Sequence, residues 1–424
     1  MNAAIALLVL ILTYFGMAAG RIAWLRVDRT GIALLAVIAL LATGQMTLDD
    51  FGSAVDMPTL ALLFAMMIIS AQFAESGFID LCARTIIGRW GGVPTLLALT
   101  VAIGGGLSAI LANDILIAAM APLLIAGAQA RGLDPRPFAI ALAASANAGS
   151  AATMIGNPQN ILLGAMGRLG FWTFLSINAV PALVALVVVF AVVWLQWHRR
   201  IDDPGAAIVE PAAVAAHPFD RVQTIKGGVA VLLLLLLFLT PLPREIGALI
   251  IAALLLANRK ITSRTMIAAV DWPLLLLVAC LFAVTGALNH TGIAAQLLAF
   301  LQDHRLLPDS LLLLAPFSLA TSNAIGSLPA AMLLLQVWQV PPDHVLYALA
   351  LLSTLSGNLI LSGSLTNVLI AERAERMGTP LSFRDHARAG IPIALISLAF
   401  AIFWLGLIGV LPFFPSASAP VVPQ

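Results

Sequence analysis

Residues 145–164 read SANAGSAATMIGNPQNILLG and residues 356–371 read SGNLILSGSLTNVLIA. Each lies inside an otherwise apolar segment, 138–167 or 343–372, that Gly, Ser, Asn and, in the first, Pro158 interrupt near its middle. Inside hydrocarbon such a break frees backbone amides and carbonyls, and it survives only where protein, water or a ligand takes them up. Aligned, IGNPQNILLG falls on SGSLTNVLIA, Gly156 on Gly363 and Asn160 on Asn367, so one interruption is written twice.

Outward from these breaks the repetition continues in the same order. LSAILANDILIAAMAPLLI answers FSLATSNAIGSLPAAMLLL, pairing Asn113 with Asn323, and ESGFIDLCARTI answers NHTGIAAQLLAF, pairing Gly77 with Gly292, all displaced by 207 to 215 positions. Stretches 93–129 and 308–338 each read as two short apolar arms meeting at a small polar tip, a re-entrant hairpin. The remaining apolar runs are 3–20, 30–44, 58–74, 171–197, 227–240, 246–258, 272–289 and 388–412. At about 20 residues per spanning helix they complete ten crossings. The expected fold is an all-α polytopic membrane protein: repeat 1 over 1–197, a linker over 198–226, repeat 2 over 227–412 and a Pro-rich tail over 413–424. Five crossings per repeat make the second copy inverted.

Composition requires the bilayer. Of 424 residues, 61% are apolar and 10% charged, against about 25% charged in soluble domains, and the mean hydropathy is +1.04. A net charge of +1 and the lack of a dense basic tract exclude a nucleic-acid partner. Cys82 and Cys280 are too far apart in sequence and too few for a disulfide framework or a metal site. With both hairpins re-entrant and both termini outside, eighteen of the 21 basic residues, from Arg21, Arg26 and Arg29 to Arg388, fall on the cytoplasmic side. Only Arg168, Arg244 and Arg305 lie opposite. Either hairpin drawn as a full crossing destroys this asymmetry.

The breaks are expected at Asn113–Asp114, Ser322–Asn323, 145–160 and 356–367. A broken helix offers amide donors at one half-helix start and carbonyls at the other half's end, which suit an anion and a small cation. Asn113 and Asn323 carry both a carbonyl and an amide and are the leading ligand residues; the alternative is that they cap the hairpin turns. Asp114 is the acidic residue within the expected hydrocarbon zone, and its counterpart is Ala324. An unpaired carboxylate there belongs in a cavity, on a cation or on a proton path, with capping of the second arm as the alternative. The six histidines, His198, His217, His290, His304, His344 and His386, fall in loops or at helix ends and are expected to be solvated. Small residues such as Gly149, Gly156, Gly357 and Gly363 serve close packing equally well.

SANAGSAATMIGNPQNILLG, preceded by LANDILIAAMAPLLI and AESGFIDLCARTI, resembles the ion transporter superfamily. That superfamily holds the arsenite permease ArsB, the sodium/proton antiporter NhaD, citrate-transporter-like permeases and divalent anion/sodium symporters. The resemblance implies an inverted-repeat fold with a scaffold that supports a homodimer and a transport region that shifts like an elevator. It assigns Asn113, Gly149 and Ser150 to one cation site, with Asn323 and the Ser356–Gly357 break as its symmetry mate, and so implies sodium near Asn113, Gly149 and Asn323. By the same analogy Thr153, Asn157, Asn160, Ser364, Thr366 and Asn367 line the unwound segments. The sodium-coupled anion members carry Ser-Asn-Thr at both tips, whereas this chain has Ala112-Asn113-Asp114 and Ser322-Asn323-Ala324. The Asn-Asp pair resembles the arsenite permease and antiporter side, which implies proton coupling.

The expected function is a secondary active transporter in the cytoplasmic (inner) membrane, moving a small anion or an oxyacid with protons or sodium. The alternative is a sodium/proton antiporter on the same fold. The partners are that solute and membrane lipid, with no cofactor beyond sodium as a coupling ion. HExxH and Walker sequences are absent, and the membrane zone offers Asp114 no second carboxylate for acid–base chemistry. An enzyme or an ATP-driven pump is therefore disfavoured.

Overall fold

The computed structural model describes residues 3–19, 27–88, 92–198, 217–288 and 291–415. Arg21, Arg26, His290, most of the expected linker and the end of the tail lie outside the described residues. Ten helices precede the linker among the described residues: α1 (Ala3–Ala19), α2 (Arg29–Ala42), α3 (Leu48–Ala54), α4 (Met57–Glu75), α5 (Phe78–Gly88), α6 (Val93–Ser108), α7 (Asn113–Ala130), α8 (Arg136–Ser150), α9 (Pro158–Met166) and α10 (Phe171–Trp197). Ten follow it in the same order: α11 (Arg221–Leu237), α12 (Arg244–Leu256), α13 (Ser263–Ala268), α14 (Trp272–Gly286), α15 (Ile293–Asp303), α16 (Leu311–Ala324), α17 (Ser327–Val337), α18 (Asp343–Ser356), α19 (Leu365–Arg376) and α20 (Phe383–Leu407). A 3-10 turn, Leu361–Gly363, lies between α18 and α19.

Local chemistry explains the helix ends. Asp56 and Asp271, each two residues before a proline, cap α4 and α14 by accepting from Thr59 N and Leu274 N, both at 3.0 Å. Asn157 Oδ1 accepts from Asn160 N at 2.8 Å and Ser364 Oγ from Thr366 N at 3.2 Å, so the second arm of each interrupted segment opens on the same device. The short helices α3 and α13, capped by Thr47 and Thr262, were not expected from hydropathy, being too short and polar to register as spans.

The arms of each expected hairpin, α6 with α7 and α16 with α17, pack on one another, but their turns fall elsewhere than expected. Arg131 Nη1 donates to Ile87 O at 2.9 Å, so the chain entering α6 and the chain leaving α7 meet at one end. The first tip turns through 109–112, and Asn113 and Asp114 open α7 instead of interrupting it. In the second, α16 runs on through Ser322, Asn323 and Ala324, and the turn falls at Ile325 and Gly326, whose φ of +96° is open to glycine and strained for other residues. Asn113 therefore starts a second arm while Asn323 ends a first arm, a register difference that their sequence pairing concealed.

Packing interlocks the halves: α4 lies on α12, α14 on α2, and α10 on α20, while α6 packs on α8 and α16 on α18. Among the described residues four helices, α4, α7, α10 and α20, are long and apolar enough to cross a membrane. The outer faces stay apolar. Val180, Leu183, Val187 and Leu195 on α10 and Ile391, Leu395, Phe403 and Leu407 on α20 are exposed at helical spacing, as a lipid-facing surface requires. Inside, the 138–150 stretch of α8 and the 345–356 stretch of α18 are buried throughout.

Candidate functional site

Four helices begin at one inner cavity of about 60 Å³. Asn113 of α7, Pro158 of α9, Ser327 of α17 and Leu365 of α19, each the first residue of its helix, line it. The polar ends of the two breaks, Asn157, Gly357, Ser364 and Thr366, complete the wall with Asn147, Gln159 and Thr354. Amides at a helix start lack intrahelical acceptors and carry partial positive charge. At α9 and α19 side chains already cap one of them, but α7 and α17 follow Ala112 and Gly326 and have no side-chain cap. Among the described residues no lysine or arginine lines this cavity.

Behind the wall each break is held by one asparagine. Asn160 Nδ2 donates to Ser150 O at 3.0 Å and to Thr153 O at 2.9 Å; Asn367 Nδ2 donates to Gly357 O at 2.8 Å and to Ile360 O at 3.2 Å. The halves are tied together across the middle. Asn147 Nδ2 donates to Asn358 Oδ1 at 2.8 Å and Asn367 Oδ1 at 3.2 Å, and Asn147 Oδ1 accepts from Ser364 Oγ at 3.0 Å. Asn157 Nδ2 donates to Thr354 Oγ1 at 3.2 Å, and Gln159 Nε2 donates to Ser353 Oγ.

The hairpin asparagines differ in their state. Asn113 Oδ1 accepts from Ser108 Oγ, which also lies 2.5 Å from Ala146 O. Asn323 Nδ2 donates to Leu319 O at 2.9 Å and Ser356 O at 3.0 Å, while its Oδ1 is buried without a hydrogen-bond partner among the described residues, as are Ser318 Oγ and Ser322 Oγ. That oxygen faces Gly363, where a Cβ would collide with it and come within 2.9 Å of Gly357 O. An uncommitted oxygen beside a carbonyl can accept a cation or a donor hydrogen bond.

Asp114 borders two spaces, the inner cavity and an outer one of about 570 Å³ that Asp28, Arg29, Asp271 and Glu372 also line. Neither hairpin Asn is a cap, and Asp114 makes no capping bond. Of the other expected site residues, Gly149 is turned to α6 and abuts Gly105, Thr153 Oγ1 donates to Ala109 O, Ser150 Oγ donates to Asn147 O at 3.0 Å, and Ser356 Oγ donates to Leu352 O at 2.6 Å. These brace the site from behind.

The expectation for one histidine is overturned as well. His386 is not solvated: it is 0% exposed in the first turn of α20, with Nε2 3.3 Å from Asn358 O, because Gly390 on the same face lets α20 close on the end of α18. His198, His217, His304 and His344 are exposed as expected. Asn147, Thr354, Asn358 and Gln159 escaped the sequence reading; their only signal was polarity inside an apolar run.

Interrupted helices that meet end to end around a polar chamber, inside a shell of lipid-facing helices, define a membrane transporter. The model of the citrate transporter family (CitMHS) matches residues 8–340, and the chain belongs to that family. A 46 kDa membrane protein of Mycobacterium leprae is 28% identical over 95% of this chain and 98% of its own length. The silicon efflux transporter LSI3 of Oryza sativa is 24% identical over 91% of this chain and 94% of its own. Among solved structures, the YdaH transporter of Alcanivorax borkumensis superposes with a TM-score of 0.55 at 16% identity, covering 96% of this chain and 98% of the other, a likeness of fold.

Proposed function

We propose that this protein is a secondary active transporter that carries a small anion or oxyacid across the cytoplasmic membrane, driven by a proton or sodium gradient. The observation that carries the reading is the convergence of four helix starts on one cavity, two of them uncapped by side chains. Oriented amides stabilise negative charge without a mobile cation. With no basic side chain among the described residues of the wall and Asp114 beside it, the cargo is one of low charge, or one that enters with a proton or cation. A cavity of about 60 Å³ suits a solute of few heavy atoms. The family name, citrate transporter, and the silicon efflux relative agree in pointing to small oxygen-rich solutes.

In this reading Asn113 and the α7 and α17 amides hold the cargo, and Asn323 Oδ1 with the Gly357 carbonyl region takes the coupling cation. The two halves are inverted repeats, the hairpins are re-entrant, and alternating access follows an elevator-like shift of the hairpins and interrupted helices against the outer helices. The basic residues gather on the cytoplasmic face. A sodium/proton antiporter is the second reading, favoured by Asp114, which borders both cavities with no hydrogen bond or ion pair to a described residue.

A melting-temperature screen of the purified protein against sodium, arsenite, sulfate and citrate across pH tests the choice, since a ligand of the native state raises its stability. Stabilisation by an oxyanion or carboxylate, with uptake of it into proteoliposomes, is expected. Sodium/proton exchange that needs no anion and disappears in Asp114→Asn replaces the first reading with the second.

A further inference from the structure

Asn147 and Thr354 lie 207 positions apart, at matching places in the last turns of α8 and α18. Each touches the opposite half. Asn160 uses its amide on two carbonyls of its own break, and its side-chain oxygen lies 3.4 Å from Thr354 Oγ1. Asn367 uses its amide on two carbonyls of its own break, and its oxygen accepts from Asn147 Nδ2 at 3.2 Å. The caps repeat the crossing. Asn157, the cap of α9, donates to Thr354 Oγ1 at 3.2 Å, and Ser364, the cap of α19, donates to Asn147 Oδ1 at 3.0 Å.

Counting protons makes the two braces self-consistent. The Thr354 hydroxyl accepts from Asn157 and gives its one proton to Asn160. Asn147 gives its two to Asn358 and Asn367 and accepts from Ser364. Every member is less than one-tenth exposed except Ser364, so bulk solvent has little access to these bonds.

We propose that Asn147 and Thr354 are reciprocal positioning residues: each holds the asparagine that clamps the other half's break and the cap that starts the other half's second arm. The two breaks then become ordered together, because loosening one brace frees an asparagine in the opposite half. The consequence for transport, that a ligand meeting one pair of helix starts orders the other, rests on the anion-site reading above; the bracing itself does not.

Hydrogen–deuterium exchange on the full-length protein in lipid nanodiscs, without added ligand, is the test. In Asn147→Ala, exchange across 357–367 is expected to rise about tenfold, with a smaller change across 150–160. Thr354→Val, nearly isosteric and so the safer variant for folding, is expected to do the reverse, and Thr354→Ser to restore the wild-type pattern because it keeps the hydroxyl. Each variant loosening only its own half, or Thr354→Ser behaving as Thr354→Val, overturns the proposal. A crossed pattern alongside an empty ligand screen keeps the bracing and removes the anion site; the converse result removes only the bracing.

Discussion

Gly149 on α8 lies against the backbone of Gly105 on α6, so close that a methyl group at 149 would fall on the Gly105 carbonyl. Backbone contact of this kind lets the first hairpin arm seat on the interrupted helix, and it needs a residue without a side chain at 149, while Gly105 leaves room for Leu186 of α10. Gly149→Ala is expected to destabilise the protein by about 1 to 3 kcal/mol or more by forcing the helices apart. Gly106→Ala, next to Gly105 on α6 but facing open space, is expected to be neutral or to stabilise by about 0.5 to 1 kcal/mol. Melting temperatures of the two variants in the same detergent decide it; equal losses would mean that the contact carries no strain.

Asp114 should govern coupling more than folding. Its carboxylate has no hydrogen-bond or ion-pair partner among the described residues and borders both cavities. Asp114→Asn keeps shape while removing the titrating group, so the melting temperature is expected to hold or rise. Flux into proteoliposomes is expected to stop responding to a pH gradient. Retained pH-driven flux in this variant would move the proton path elsewhere.

Sodium, where it acts, is expected to act through Asn323. The buried Oδ1 facing Gly363, without a hydrogen-bond partner among the described residues, is the oxygen that a cation would satisfy. Thermal shifts in sodium chloride, compared with choline chloride at equal ionic strength, are expected to vanish in Asn323→Ala and to survive in Asn113→Ala, whose oxygen Ser108 already occupies. The opposite ranking assigns the cation to the first tip.

At the start of α11 a pH effect has a definite sign. Asp220 lies 2.7 Å from Lys260 Nζ and accepts from Gln223 N and Val222 N, and the Lys260 hydrogen bond above all holds its carboxyl below the usual carboxylate range. Its contribution is then complete above the unfolded value, roughly pH 4, and is lost only as pH falls through the lower folded value. The melting-temperature gap between wild type and Asp220→Ala is expected to stay constant from neutral pH down to about pH 4 and to close below it. A gap that closes near pH 6 would contradict the assignment.

The apolar runs and both interrupted helices were legible because hydropathy and helix-breaking residues are properties of neighbours in sequence. α8 stops at Ser150 and α9 starts at Pro158, inside the expected break. The hairpin tips were less legible. Pairing Asn113 with Asn323 by sequence hid the fact that one opens a helix and the other ends one, because the turn is decided by Gly326 and not by the asparagine. His386 was misread for a related reason: an N-terminal turn looks solvated until another helix is seen to cover it.

The order of the helices and the two interruptions, between α8 and α9 and between α18 and α19, were determined by the sequence itself, since each depends on the local balance of apolar and polar groups along a few turns. Which polar side chains meet, and across which halves, was decided only in three dimensions. Asn147 touches Asn358 and Asn367, more than two hundred positions away, and nothing in the local chain prefers those partners. Four helix starts share one cavity because α7 packs on α19 and α9 on α17, each pair joining the two halves. Packing brings distant groups together, and burial then makes each hydrogen bond there costly to leave unmade.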